Sequence, residues 1–259
     1  MKVLLINIPE EKISDARQFG IERVYKYSED VDFVLYKDTA ILGKLSYPRA
    51  KRIAWLCEPN VVANHFIDNK NVAENFRAVL TYRNELLSRG EPYYYAAFGT
   101  SWVPPAEPPK TKLISFLASD KFNCEGHKLR YEILQDCLMR NVDVFGKIVG
   151  NYVDKKEVAH YPYKYTIVIE NERHNGYFTE KLIDAFLSLT VPIYWGCPNL
   201  SKFFPENSFI PFNDPKELDI ILDELKDYNV RLSALKEAKK IALDKYVDFK
   251  DVGRALSEL

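Results

Sequence analysis

Residues 165–196, YTIVIENERHNGYFTEKLIDAFLSLTVPIYWG, constrain the fold more than any other stretch of the chain. They open with an apolar, β-branched run at 165–169, the signature of a buried strand, closed by Glu170 and Asn171. A polar loop containing Gly176 leads to Thr179, a good N-cap residue, with Glu180 and Lys181 in the first helical turn. Leu182, Ile183, Phe186, Leu187 and Leu189 recur at helical spacing. Residues 191–195 form a second apolar strand, stopped by Gly196 and Pro198. Strand, helix and strand in one short stretch make a βαβ unit of a parallel sheet.

Such a unit puts a helix N-terminus at the carboxyl end of a strand. Open α/β sheets bind ligands there, and the exposed N–H groups favour an anion. Lys181 adds a positive charge, and Glu180 supplies an acceptor suited to hydroxyls. The combination suits a nucleotide sugar, with ribose on Glu180 and diphosphate on Lys181. The plainer reading is a helix capped by Thr179 and Glu180 with Lys181 in solvent, and spacing alone favours that one.

The chain has 259 residues, enough for two ordinary domains or one large one. Residues 91–110 hold five prolines, and their Pro-rich end at 103–110 is the best boundary. It divides the chain into 1–104 and 105–259. Before it, strands are expected at 3–8, 31–36, 51–57 and 76–81, with a short helix at 61–67. After it come a strand at 111–118, a helix from 127 to about 140 and a strand at 142–145, a second βαβ unit. A last strand at 209–212, a helix capped by Asp214 and a final helix from about 230 to 246 complete an α/β pattern.

Asp30-Val31-Asp32 has the D-x-D form of a cation site, but it precedes a strand instead of following one and reads as a turn. The four histidines lack ligand spacing, and no metal site is expected. There is no G-x-G-x-x-G, Walker loop or G-x-S-x-G. A phosphate site would therefore rest on Lys181 and a helix N-terminus. The net charge of -1 gives no bulk electrostatic reason to expect nucleic acid or an anionic membrane as partner. The four scattered cysteines form no C-x-x-C, and the apolar run of MKVLLINIPEE is too short for a signal peptide or membrane span. A cytoplasmic protein with reduced thiols is expected.

IENERHNGYFTEKLIDAFLSLTVPIYWGCP resembles the donor-binding signature of the α-1,3-fucosyltransferase family. That signature is a strand ending in E-N, a Y-x-T-E-K helix start, and V/I-P-I/V-Y-W-G-x-P. KTKLISFLAS, KLRYEIL and VDVFGK resemble the family too, so the likeness covers about residues 51–212. It implies two Rossmann-like domains facing a cleft, the GT-B architecture. The implied reaction is transfer of fucose from GDP-fucose to an acceptor hydroxyl with inversion, without a metal or other cofactor. Donor binding falls to Arg130, Asn171, Tyr177, Glu180 and Lys181. Glu58, after the strand KRIAWLC, matches the family's general base, and Tyr82 and Arg83 match a Y-R pair on the acceptor side. Animal members carry a membrane anchor and stem; an unanchored protein of the bacterial or viral kind is expected here.

Three other readings follow from the same residues. The donor or acceptor could differ, the acceptor being a glycan, a lipid-linked sugar or a hydroxymethylated base in phage DNA. The aromatic run Tyr93, Tyr94 and Tyr95 could stack on a sugar or a base. Glu58 and Glu180 could serve a glycoside hydrolase, or the chain could bind glycans or sugar nucleotides without turnover.

Overall fold

The computed structural model describes residues 1–6, 22–24, 30–59, 72–98, 100–225 and 227–259. The helix expected at 61–67 lies outside the described residues. The chain forms two compact units. The first comprises Met1–Thr100, Asn175–Tyr177 and Lys245–Leu259; the second comprises Ser101–His174 and Phe178–Asp244.

The first unit is built on a parallel sheet of β1 (Lys2–Ile6), β2 (Glu22–Val24), β3 (Phe33–Lys37), β4 (Arg52–Leu56), β5 (Ala78–Thr81) and β6 (Tyr93–Tyr95). Their order is β2-β1-β3-β4-β5-β6. Alternate residues of β4 enter opposite cores. Ile53 and Trp55 pack with Val3, Leu35 and Leu80, whereas Ala54 and Leu56 pack with Leu4, Val34, Tyr36 and Val79. Burial of both faces is why these strands read as continuous apolar runs.

The helix Lys250–Ser257 covers the Trp55 face with Val252, Ala255 and Leu256. Asp251 Oδ2 accepts the Ala97 N–H at 2.7 Å and fixes the helix in place. This C-terminal stretch, counted with 105–259 on sequence, thus belongs to the first unit.

The second unit carries a parallel sheet of β7 (Lys112–Leu117), β8 (Asp143–Phe145), β9 (Tyr163–Ile169), β10 (Val191–Trp195) and β11 (Ile210–Pro211). The order is β11-β10-β9-β7-β8, so the strand order reverses between β7 and β9. Ligands bind at such a reversal, beyond the carboxyl ends of the strands. Between β7 and β8 two helices stand where one was expected, Glu125–Glu132 and Leu134–Met139. The break is at Ile133, whose ψ of -8° departs from the usual α-helical value of about -42°.

The helix Glu180–Leu187 joins β9 to β10 and buries Leu182, Ile183, Phe186 and Leu187. Two glycines allow the close packing around it. A Cβ on Gly126 would lie 1.7 Å from the Glu170 carbonyl oxygen. One on Gly196 would lie 2.6 Å from Glu170 Cγ and 2.5 Å from the Tyr194 hydroxyl.

Candidate active site

In the second unit the site is organised by Glu170, a fully buried carboxylate at the end of β9. Its Oε1 accepts the Thr179 N–H at 2.8 Å and its Oε2 the Thr179 hydroxyl at 2.7 Å. Thr179 in turn caps the helix Glu180–Leu187 by accepting from the Lys181 N–H at 3.4 Å. Lys181 Nζ lies 3.1 Å from Glu180 Oε1, 3.1 Å from Thr179 Oγ1 and 3.7 Å from Glu170 Oε2. Burial opposes the charge on Lys181, but Glu180 and Glu170 outweigh it and raise its pKa. Burial also works against ionised Glu180, yet Lys181 and Lys156 hold its pKa at about 2. Both groups are therefore charged at neutral pH.

Arg130, on the helix Glu125–Glu132, is buried. Its Nη2 donates to the Ile169 carbonyl and, at 3.1 Å, to Asn171 Oδ1. Position 130 is thus no surface arginine: the guanidinium is tied to the end of β9. Arg130 and Lys181 both line a cavity of about 640 Å³ that also takes in Ser119, Lys147, Tyr152 and Lys156. Ser119 follows β7, Lys147 follows β8, and Arg130 is bonded to the end of β9, where the strand order reverses. Two cations lining one cavity, with an ionised carboxylate beside Lys181, can bind a diphosphate and a polyol together.

In the first unit Glu58 follows β4, with a half-exposed side chain. Lys37 Nζ, from the end of β3, lies 3.3 Å from Glu58 Oε1 and 2.7 Å from Asp38 Oδ2. Buried Asp38 accepts the N–H groups of Cys57 at 2.9 Å and Glu58 at 3.0 Å through Oδ1. Lys37 and Asp38 went unnoticed in the sequence; their one signal is a charged pair at the end of an apolar strand.

Tyr82 and Arg83 are both buried. The Tyr82 hydroxyl and Arg83 Nη2 each donate to the Glu58 carbonyl at 3.1 Å. They hold the backbone of Glu58. Tyr177 is buried in the first unit, its ring 4.7 Å from that of Tyr82.

The run Tyr93, Tyr94 and Tyr95 is only partly buried. It forms edge strand β6, with Tyr93 and Tyr94 against opposite cores and the Tyr95 hydroxyl donating to the Gly176 carbonyl at 3.1 Å. In the D-x-D stretch, Asp30 pairs with Lys2 at 2.5 Å and Asp32 accepts the Lys2 N–H at 2.7 Å. Among the described residues no group of three or more His, Cys, Asp or Glu could hold a metal ion. All four cysteines are free and buried. Among the described residues no helix is long and apolar enough to cross a membrane.

The model of glycosyltransferase family 10 (fucosyltransferase), C-terminal part, matches residues 107–237. Over 78 residues the chain is 41% identical to alpha-(1,3)-fucosyltransferase FucT of Helicobacter pylori, covering 30% of this chain and 16% of that one. Over 174 residues it is 30% identical to 4-galactosyl-N-acetylglucosaminide 3-alpha-L-fucosyltransferase 9 of Rattus norvegicus, covering 64% of this chain and 47% of the rat protein. The chain spans less than half the length of these relatives. A solved alpha1,3-fucosyltransferase with GDP-fucose is similar at a TM-score of 0.54 and 20% identity, covering 94% of this chain and 80% of that one. That likeness shows the fold, that of the GT-B glycosyltransferases. Because the family match takes in every strand of the second sheet together with Arg130 and Lys181, the chain belongs to glycosyltransferase family 10, the fucosyltransferases.

Proposed function

We propose that the chain transfers fucose from GDP-fucose to a hydroxyl of an acceptor glycan, with inversion at the anomeric carbon and without a metal or other cofactor. The observation that carries this reading is the shared cavity of Arg130 and Lys181, with ionised Glu180 beside them. Arg130 and Lys181 take the diphosphate in that cavity, Glu180, paired with Lys181, accepts from the ribose hydroxyls, and Asn171 holds Arg130. Family membership supports the sugar and the nucleotide.

An alcohol is a poor nucleophile at neutral pH. Glu58 takes the acceptor's proton as its oxygen bonds to the anomeric carbon. The bond from that carbon to the diphosphate breaks, and GDP leaves with the electron pair. A positioned base is worth about a hundred- to ten-thousand-fold. Charge gathers on the leaving diphosphate, where Arg130, Lys181 and the helix N-terminus oppose it. Lys37 orients the Glu58 carboxylate, and Tyr82 and Arg83, with Tyr177 packed behind Tyr82, fix its backbone. The buried free cysteines support a cytoplasmic setting.

Thermal unfolding with a panel of GDP-, UDP- and CDP-sugars tests the donor: GDP-fucose should raise the melting temperature most. A larger rise with a UDP- or CDP-sugar would contradict it. Turnover that EDTA abolishes and only a divalent metal restores would contradict the metal-free step.

A further inference from the structure

Lys156 directly precedes the helix Glu157–His160 and lines the same cavity as Arg130 and Lys181. Lys121, Lys147 and Lys155 line it too, but they are exposed. Lys156 is instead half-buried, its Nζ 5.0 Å from the centre of the Trp102 ring and 3.9 Å from Asp184 Oδ2.

Asp184 is buried one turn after Glu180 on the helix Glu180–Leu187. Its Oδ1 accepts the N–H groups of Trp102 at 2.7 Å and Val103 at 3.2 Å. Those bonds fix the Trp102 segment to the helix that carries Lys181. Asp184 Oδ2 has no hydrogen bond, and neither has the buried His160 Nδ1. A second cavity of about 30 Å³ is lined by Lys156, His160, Lys181 and Asp184. That is room for about one water. Lys156 thus borders both cavities, held by an aromatic face and a carboxylate too distant for a close ion pair.

We propose that Lys156 is a third cation of the nucleotide-sugar site, binding the donor's diphosphate, and that Asp184 and Trp102 are positioning residues for it. The inference rests on the GDP-sugar reading above. A lysine over an indole keeps its charge while shedding water, and a loose carboxylate orients it without competing fully with phosphate. Arg130 and Lys181 each already have protein acceptors, so a third cation adds charge where the leaving group gathers it.

Calorimetric titration of GDP and of guanosine into the full chain tests this, with Lys156→Ala, Lys156→Gln and Asp184→Asn beside Arg130→Ala and Lys181→Ala. Lys216→Ala, an exposed change elsewhere on the unit, is the control. Lys156→Ala and Lys156→Gln should each weaken GDP about tenfold or more and leave guanosine within about twofold. Asp184→Asn should lower GDP affinity by less, again sparing guanosine; an equal loss for both ligands would mark a structural role and overturn the positioning claim. Wild-type GDP affinity in both Lys156 variants, with loss in Arg130→Ala and Lys181→Ala, would overturn this inference and leave the donor reading standing. A wild-type chain that binds no GDP would overturn both.

Discussion

Glu170 grips Thr179 with both carboxylate oxygens, one on its N–H at 2.8 Å and one on its hydroxyl at 2.7 Å. This links the end of β9 to the start of the helix Glu180–Leu187 across nine positions of sequence. It accounts physically for the E-N and T-E-K elements of the pattern. A buried acid is stabilised by a cap that also orients the next two residues, Glu180 and Lys181. Gly196 belongs to the same device, because any side chain there would meet Glu170.

Glu170→Ala therefore removes the acceptor of the buried Thr179 N–H and of its hydroxyl. It should destabilise the chain by about 2–3 kcal/mol. Urea unfolding measures this. A cost within the scatter of surface substitutions would show that the cap stands without Glu170.

Tyr82→Phe removes one of two donors to the Glu58 carbonyl and keeps the ring against Tyr177. Turnover should fall by about three- to tenfold with little change in the GDP-fucose KM, because the loss is one neutral hydrogen bond. Steady-state kinetics separate the two constants. A raised KM with unchanged kcat would instead place Tyr82 on the donor.

Burial pushes Asp184 up to about 7 from its ordinary 3.8, against the pull of Lys156 and the Trp102 and Val103 N–H groups. Between those values the folded chain keeps a proton that the unfolded chain has released. Stability contributed by this group is therefore greatest below 3.8, falls as pH rises through the window, and levels off above about 7. Asp184→Asn removes the titration. The wild type should lose melting temperature relative to Asp184→Asn across the window; parallel curves would show that Asp184 titrates normally.

Much of the second unit was legible because its signals are local. The strand at 191–195 is observed at those residues, and Thr179 caps the helix as its residue type suggested. Apolar runs buried on both faces and a polar N-cap need no knowledge of distant contacts. What escaped depends on partners far along the chain. Lys37 meets Glu58 across 21 positions, and Asp184 meets Trp102 across 82. The helix Lys250–Ser257 has only two turns of pattern, and Phe249 before it has a positive φ of 59°. Its place is set by the Trp55 face, about two hundred positions earlier. Short edge strands β2 and β6 carry too few residues to show a period. Tyr93 and Tyr94 of β6 pack against opposite cores, a division that their sequence did not show.

The central claim is a carboxylate at position 58 that takes the acceptor's proton during transfer from GDP-fucose. Glu58→Gln keeps the shape and removes the base. Acceptor-dependent GDP release, measured beside GDP-fucose binding by calorimetry, tests it most directly. The account predicts wild-type donor affinity in Glu58→Gln with release reduced by about a hundredfold or more. Wild-type turnover in that variant would contradict it.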